Sequence, residues 1–152
     1  MANRKPLLDQ LFSPDGVVCE TPEETARLGR EVSALIQPGT VISLEGPLGA
    51  GKTQLIKGAA AALGCTEEAS SPSFTIVHEY AGGRFPLHHF DFYRLKSPDE
   101  LSGAGYDDCL ADGGVMVEWG DRFPEALPEG SITLRIEILA DGGRRIRGAR
   151  TL

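Results

Sequence analysis

The chain has 152 residues, enough for about one domain, and its 41% apolar and 24% charged side chains are an ordinary balance for a globular protein with a real core. A formal net charge of −7 argues against wrapping a nucleic-acid backbone, because that mode needs a basic face. No run approaches the ~20 apolar residues of a membrane-spanning helix, and Cys19, Cys65 and Cys109 are odd in number and widely spaced, so neither a disulfide framework nor a zinc site is indicated and a reducing cytosol fits best.

In chain order, residues 1–15 read as a poorly ordered tail: Arg4 and Lys5 precede an apolar stretch that Asp9 and Gln10 break too soon for a signal peptide. Residues 16–19 are a weak strand candidate. Thr21, Pro22 and Glu24 then spell a helix start, with a hydroxyl cap, proline at the first helical position and an acid three residues after the cap. Leu28, Val32, Leu35 and Ile36 recur at helical spacing, and Pro38 with Gly39 ends the pattern. The β-branched run 41–44 suits a strand buried on both faces of a parallel sheet.

That strand runs into Gly46, and Gly51, Lys52 and Thr53 follow at the spacing G-x-x-x-x-G-K-[ST], with a helix-forming run over 52–63 stopped by Gly64. Glycines at 46, 49 and 51 can take angles that a Cβ would forbid, so successive N–H groups can turn inward around an anion. The first N–H groups of the helix lack internal partners and carry partial positive charge, which favours an oligophosphate there. Lys52 would reach the β- and γ-phosphates and Thr53 would ligate a bridging Mg²⁺. Leu48, Ala50 and Gln54 complete the set of loop positions expected around the phosphates.

Residues 65–71 read as an acidic, polar loop. Ser71, Ser73, Phe74 and Thr75 around Pro72 form a hydroxyl-rich stretch of the kind that senses a γ-phosphate in switch loops, although turn and capping roles suit such residues equally. Residues 75–80 and 86–92 flank a glycine turn and predict an antiparallel hairpin. Ser97 to Glu100 repeat the cap logic, giving a short helix near 98–102 that resumes over 106–110. Residues 115–119 form a short buried strand. Ile132, Leu134, Ile136 and Ile138 alternate with polar residues, and residues 141–143 turn this strand into a closing strand with Arg144, Arg145, Arg147 and Arg150, a solvated hairpin or a surface for RNA or an acidic partner.

Hydrolysis or transfer needs carboxylates as well as a phosphate loop. Residues two apart on a strand share a face, so His89, Asp91 and Tyr93 point one way and His88, Phe90 and Phe92 the other. Asp91 is thus a candidate Mg²⁺ partner through water, and Glu118 at the end of its strand could complete the metal shell or orient a water; the alternative for each is a solvated or ion-paired acid. His88 and His89 face opposite ways and cannot share one metal. Trp119, the single tryptophan, is either core or a neighbour of the nucleotide.

Together, the loop at 44–53, the stretch 71–74, the segment 89–95 and the pair Glu118 and Trp119 resemble one family: TsaE (formerly YjeE), small P-loop ATPases of bacterial tRNA threonylcarbamoyladenosine synthesis. The second and third pieces are far more specific than the loop; Ser73 stands where the family usually has Thr. The resemblance implies a three-layer α/β, P-loop NTPase-like fold with a mixed sheet, a parallel core and antiparallel hairpins. It implies Mg²⁺ and ATP in the loop, with Lys52, Asp91 and Glu118 as catalytic residues, Thr53, Asp91 and Glu118 toward the metal, and Trp119 beside the nucleotide. It further implies a hydrolase that is slow alone and acts in the cytoplasm on TsaD and TsaB homologues, resetting that complex and meeting tRNA only through it, with no membrane or DNA partner.

Two other readings use the same loop. A small-molecule kinase would close arginines over the transferred group, yet Arg84, Arg94, Arg122 and Arg135 are scattered; a nucleotide-dependent interaction module would make turnover incidental. A GTPase is disfavoured, since neither N-K-x-D nor D-x-x-G occurs.

Overall fold

In the computed structural model, which describes residues 7–47, 49–69 and 77–150, eight strands among the described residues form one mixed sheet. They are β1 (Val17–Cys19), β2 (Val41–Glu45), β3 (Glu67–Ala69), β4 (Val77–Ala81), β5 (Leu87–Asp91), β6 (Gly114–Glu118), β7 (Ile132–Ile138) and β8 (Arg144–Arg150), in the order β1-β8-β7-β2-β6-β5-β4-β3. The four central strands β7, β2, β6 and β5 are mutually parallel, and antiparallel strands extend both sides. This is the parallel core with antiparallel hairpins that the resemblance implies.

β2 lies between β6 and β7, and its first four residues are buried, as a strand covered on both faces requires. Ile42 and Leu44 join Met116, Ile132, Leu134 and Ile136 on one face, under α1 (Leu7–Leu11), α2 (Pro22–Val32) and α3 (Lys52–Ala62). Val41, Val115 and Val117 join Phe90 and Phe92 on the other, under α4 (Glu100–Gly103), α5 (Tyr106–Asp112) and the 3₁₀ turns Gly120–Arg122 and Pro124–Ala126. Helices, sheet and helices make the three layers.

The cap at Thr21 forms as its residues dictate. The Glu24 N–H donates to the Thr21 hydroxyl at 3.1 Å, while the Glu24 carboxylate accepts from the Glu20 N–H, one residue outside the usual reciprocal bond. α2 then crosses α3 at two glycines. A Cβ on Gly29 would collide with the Leu55 carbonyl oxygen and one on Gly58 with that of Ala26, so the two backbones sit closer than side chains would permit.

Local expectations fail in four places. Residues from Leu7 do not form a loose tail; α1 places Leu11 in the core. The expected loop at 65–71 contains β3, which pairs with β4, because an open strand edge can recruit a segment of poor intrinsic strand preference. The helix expected near 98–102 begins at Glu100, whose carboxylate turns back to accept from the Lys96 N–H at 2.8 Å. The α-helical pattern from Thr21 ends at Val32 and continues as a 3₁₀ turn, Ser33–Leu35.

Candidate active site

The four parallel strands end at one edge of the sheet, and the loops leaving that edge carry the site, as the topology of parallel α/β sheets favours. β2 ends at Glu45 and the chain turns through Gly46 to α3. Gly49 and Gly51 have φ of 82° and 101°, left-handed angles that glycine takes without strain, and the Ala50 N–H closes the turn on the Pro47 carbonyl at 3.1 Å. No side chain caps α3, so its first N–H groups are left for a ligand. Lys52 is buried at 7% exposure, with Nζ donating to the Gly46 carbonyl at 2.9 Å and lying 4.9 Å from the Trp119 ring centroid.

The acids arrive from the two neighbouring strands. Asp91 on β5 and Glu118 on β6 are register partners, so both side chains project on the α3 face, together with His89. One Asp91 oxygen accepts from the Tyr93 N–H at 2.9 Å and starts the 3₁₀ turn Phe92–Arg94. Glu118 is 16% exposed, and its carboxylate lies 3.4 Å from His89 Nε2. Burial works to raise the Glu118 pKa, but the close contact and charge of His89, with Lys52 and His78, outweigh it and hold the carboxyl below its usual value.

Trp119 sits at φ 62°, the only non-glycine residue with positive φ among the described residues. For a bulky side chain this backbone is strained by roughly 1–3 kcal/mol. It swings the indole off the strand line, toward Lys52 and within 5.1 Å of the Tyr93 ring.

These groups border a cleft of about 840 Å³ lined by residues 49–54, Asp91, Tyr93, Arg94, Glu118 and Trp119, and also by Cys19 to Pro22, Thr25, Gly142 and Arg144. The structure therefore brings together Gly49, Ala50, Gly51, Lys52, Thr53, Gln54, Asp91, Glu118 and Trp119. Gly46 lies behind Lys52 and borders a smaller cavity of about 250 Å³. Leu48 and the switch-like residues Ser71, Ser73, Phe74 and Thr75 lie outside the described residues.

The cleft also holds residues that sequence reasoning assigned elsewhere. Thr21 was expected only as a helix cap, and its position at the start of α2 puts it on the cleft wall. Arg144 is expected on a solvated hairpin or on a surface for RNA or an acidic partner. Its guanidinium instead donates to the carbonyls of Ala50 at 3.2 Å and Gly49 at 3.1 Å, clasping the glycine loop from β8. No local signal could have shown this, since 94 residues separate the partners. The other arginines of β8 are engaged too: Arg145 and Arg147 each lie 3.9 Å from Glu137, and Arg150 stacks over Phe12.

A nucleoside triphosphate and Mg²⁺ fit these residues. The uncapped helix start and the glycine turn offer donors to phosphates, and Thr53, Asp91 and Glu118 offer hard oxygens. No group of three or more His, Cys, Asp and Glu side chains gathers into a metal cage among the described residues. Mg²⁺ needs none, since it keeps waters and shares substrate phosphates.

A three-layer α/β sheet with a parallel core and a glycine loop between β2 and α3 places the chain in the P-loop NTPase-like fold class. The family model "Threonylcarbamoyl adenosine biosynthesis protein TsaE" matches residues 19–146. The chain belongs to the TsaE family of tRNA threonylcarbamoyladenosine biosynthesis proteins. It is 42% identical over 130 residues to TsaE of Treponema pallidum, covering 85% of this chain and 96% of that one. The match to TsaE of Bacillus subtilis is 42% over 126 residues, covering 82% and 78%. The crystal structure of YdiB from Bacillus subtilis superposes with a TM-score of 0.71 at 34% identity, over 90% of this chain and 84% of that one. No helix among the described residues is long and apolar enough to cross a membrane.

Proposed function

We propose that this chain is a Mg²⁺-dependent ATP hydrolase that serves tRNA threonylcarbamoyladenosine modification in the cytoplasm, acting on a complex of TsaB and TsaD homologues and resetting it between turnovers. The observation that carries this reading is the convergence of Lys52, Thr53, Asp91, Glu118 and Trp119 on one cleft at the uncapped start of α3. A loop alone would bind a nucleotide; a register pair of acids facing it supplies what hydrolysis adds.

The chain's own groups divide the work. Lys52 Nζ moves its donor bonds from the Gly46 carbonyl to phosphate oxygens and offsets the charge that builds on them as the terminal P–O bond breaks. Mg²⁺, when bound, neutralises the phosphate oxygens, with Thr53, Asp91 and Glu118 as the residues that would hold it, directly or through water. Glu118, kept ionised by its basic neighbours, can accept a hydrogen bond from the attacking water and aim it. Trp119 covers Lys52 and limits water around it.

Arg122 donates to the carbonyls of Tyr93 and Leu95, at 3.0 and 3.1 Å, and Arg135 pairs with Glu45 at 3.0 Å. Arg122 and Arg135, committed to this bracing, are not free to close over a transferred group, which favours hydrolysis over transfer to a metabolite. The test is phosphate release from ATP by the purified chain, alone and with TsaB and TsaD homologues, alongside ATP titration followed by Trp119 fluorescence. Slow release alone and several-fold stimulation by the pair are expected. Absence of ATP binding, or turnover indifferent to the partners, would overturn the reading.

A further inference from the structure

His89 has no part in the site as the sequence presents it. It does not line the cleft, yet it lies directly behind one of the cleft's two acids. Its ring is half-buried, 15% exposed, on the same face as Glu118, with Nε2 shielded from solvent and 3.4 Å from Glu118 Oε2. That nitrogen meets no hydrogen-bond geometry with any atom among the described residues, so Glu118 is the acceptor within nearest reach of an otherwise unsatisfied buried donor. Burying such a group unpaired is costly, and a short movement of the carboxylate would close the bond.

The imidazole is itself held from behind. His78 is the register partner of His89 on antiparallel β4, and the two rings stack at 5.9 Å with 25° between their planes. The stack leaves His89 little room to rotate away from β6. His88, the adjacent residue, is turned to the other face, where Nε2 meets Asp112 at 3.0 Å, so the strand separates the two histidines into different tasks.

We propose that His89, backed by His78, is a positioning residue for Glu118: its Nε2–H donates to Oε2 and fixes that oxygen, leaving Oε1 aimed into the cleft toward the attacking water. His89 touches neither water nor nucleotide, so it acts through the carboxylate alone. The inference rests on the ATPase reading of the cleft and names the group that aims its acid.

The test uses the full chain with His89→Leu, which removes the donor, and His89→Gln, whose amide N–H reaches about as far as imidazole Nε2. In steady-state ATP hydrolysis, His89→Leu is expected to lower kcat about tenfold with KM changed by less than about twofold, and His89→Gln to restore most of the loss. Equal kcat in the leucine variant, or a rise in KM shared by both variants, would overturn the positioning role. In the nucleotide-free protein, a double-mutant cycle of His89→Leu and Glu118→Gln on the urea unfolding constant is expected to be non-additive by about fivefold or more. Additivity there overturns the contact. A wild-type chain that binds ATP but never hydrolyses it overturns the ATPase reading and this inference together; one that hydrolyses while the cycle is additive overturns this inference alone.

Discussion

The two faces of the sheet are filled by different means. Under α1, α2 and α3 the core is aliphatic, with Ile42, Leu44, Leu55, Ile56, Met116 and Leu134 set beneath helices that approach each other through Gly29 and Gly58. On the opposite face short helices and turns are held by aromatic rings: Phe90 and Phe92 meet Tyr106 edge-on at 5.2 and 6.2 Å, and Phe92 meets Phe123 at 6.4 Å. The difference shows how one cleft is held from both sides. Backbone-close helices fix the glycine loop, and bulky side chains brace from behind the strand ends that carry Asp91, Glu118 and Trp119.

The sharpest break comes at the seam, where neither face should compensate. On the proposed ATPase reading, Lys52→Ala is expected to cut ATP turnover by about 100-fold or more, because it removes the buried lysine of the cleft. Phosphate release and ATP titration measure it, with circular dichroism confirming the fold. On the aromatic face, Phe90→Ala removes a fully buried ring and should cost about 3–5 kcal/mol in urea unfolding. Since domains of this size have roughly 5–15 kcal/mol in hand, much of the stability would go.

The aliphatic face answers to the opposite insult. Gly58→Ala adds one methyl against the Ala26 carbonyl, so α2 and α3 must part, at about 1–3 kcal/mol. If adding a methyl here proves as harmless as at an exposed helical glycine, the close approach of the helices is not what fixes the loop. The smallest effect concerns pH. The folded Glu118 pKa lies below its ordinary 4.5, so its charge stabilises the fold above that value, and the contribution is lost as pH falls through the lowered one. Glu118→Gln should therefore show a flatter decline of urea midpoint than wild type between about pH 6 and pH 3.

Much of this design was legible because it is local. The cap at Thr21, the loop at 46–53, the alternation in β7 and the glycine turns between hairpin strands each announce themselves within a few residues. Strand parity alone placed His89 and Asp91 on one face, and the register of β5 with β6 puts Glu118 there too. What escaped depends on partners distant in sequence. β3 exists because β4 offers an edge, α1 because Leu11 finds the core, and Arg144 enters the cleft because β8 starts opposite Ile138 at the end of β7, on the same edge of the sheet as the glycine loop. The left-handed backbone at Trp119 also carries no sequence signature, since glycine is the residue that normally marks it.

The hold of Arg144 on Gly49 and Ala50 sets an order of assembly. Synthesis has passed the glycine loop by residue 53, but the clasp arrives only with β8, 94 and 95 residues after its partners Ala50 and Gly49. An emerging chain would thus expose a glycine turn with helix-start donors long before its outer carbonyls are tied down. The glycine loop therefore reaches its final shape only when β8 docks on β7, so its geometry is set by the closing of the β7–β8 hairpin.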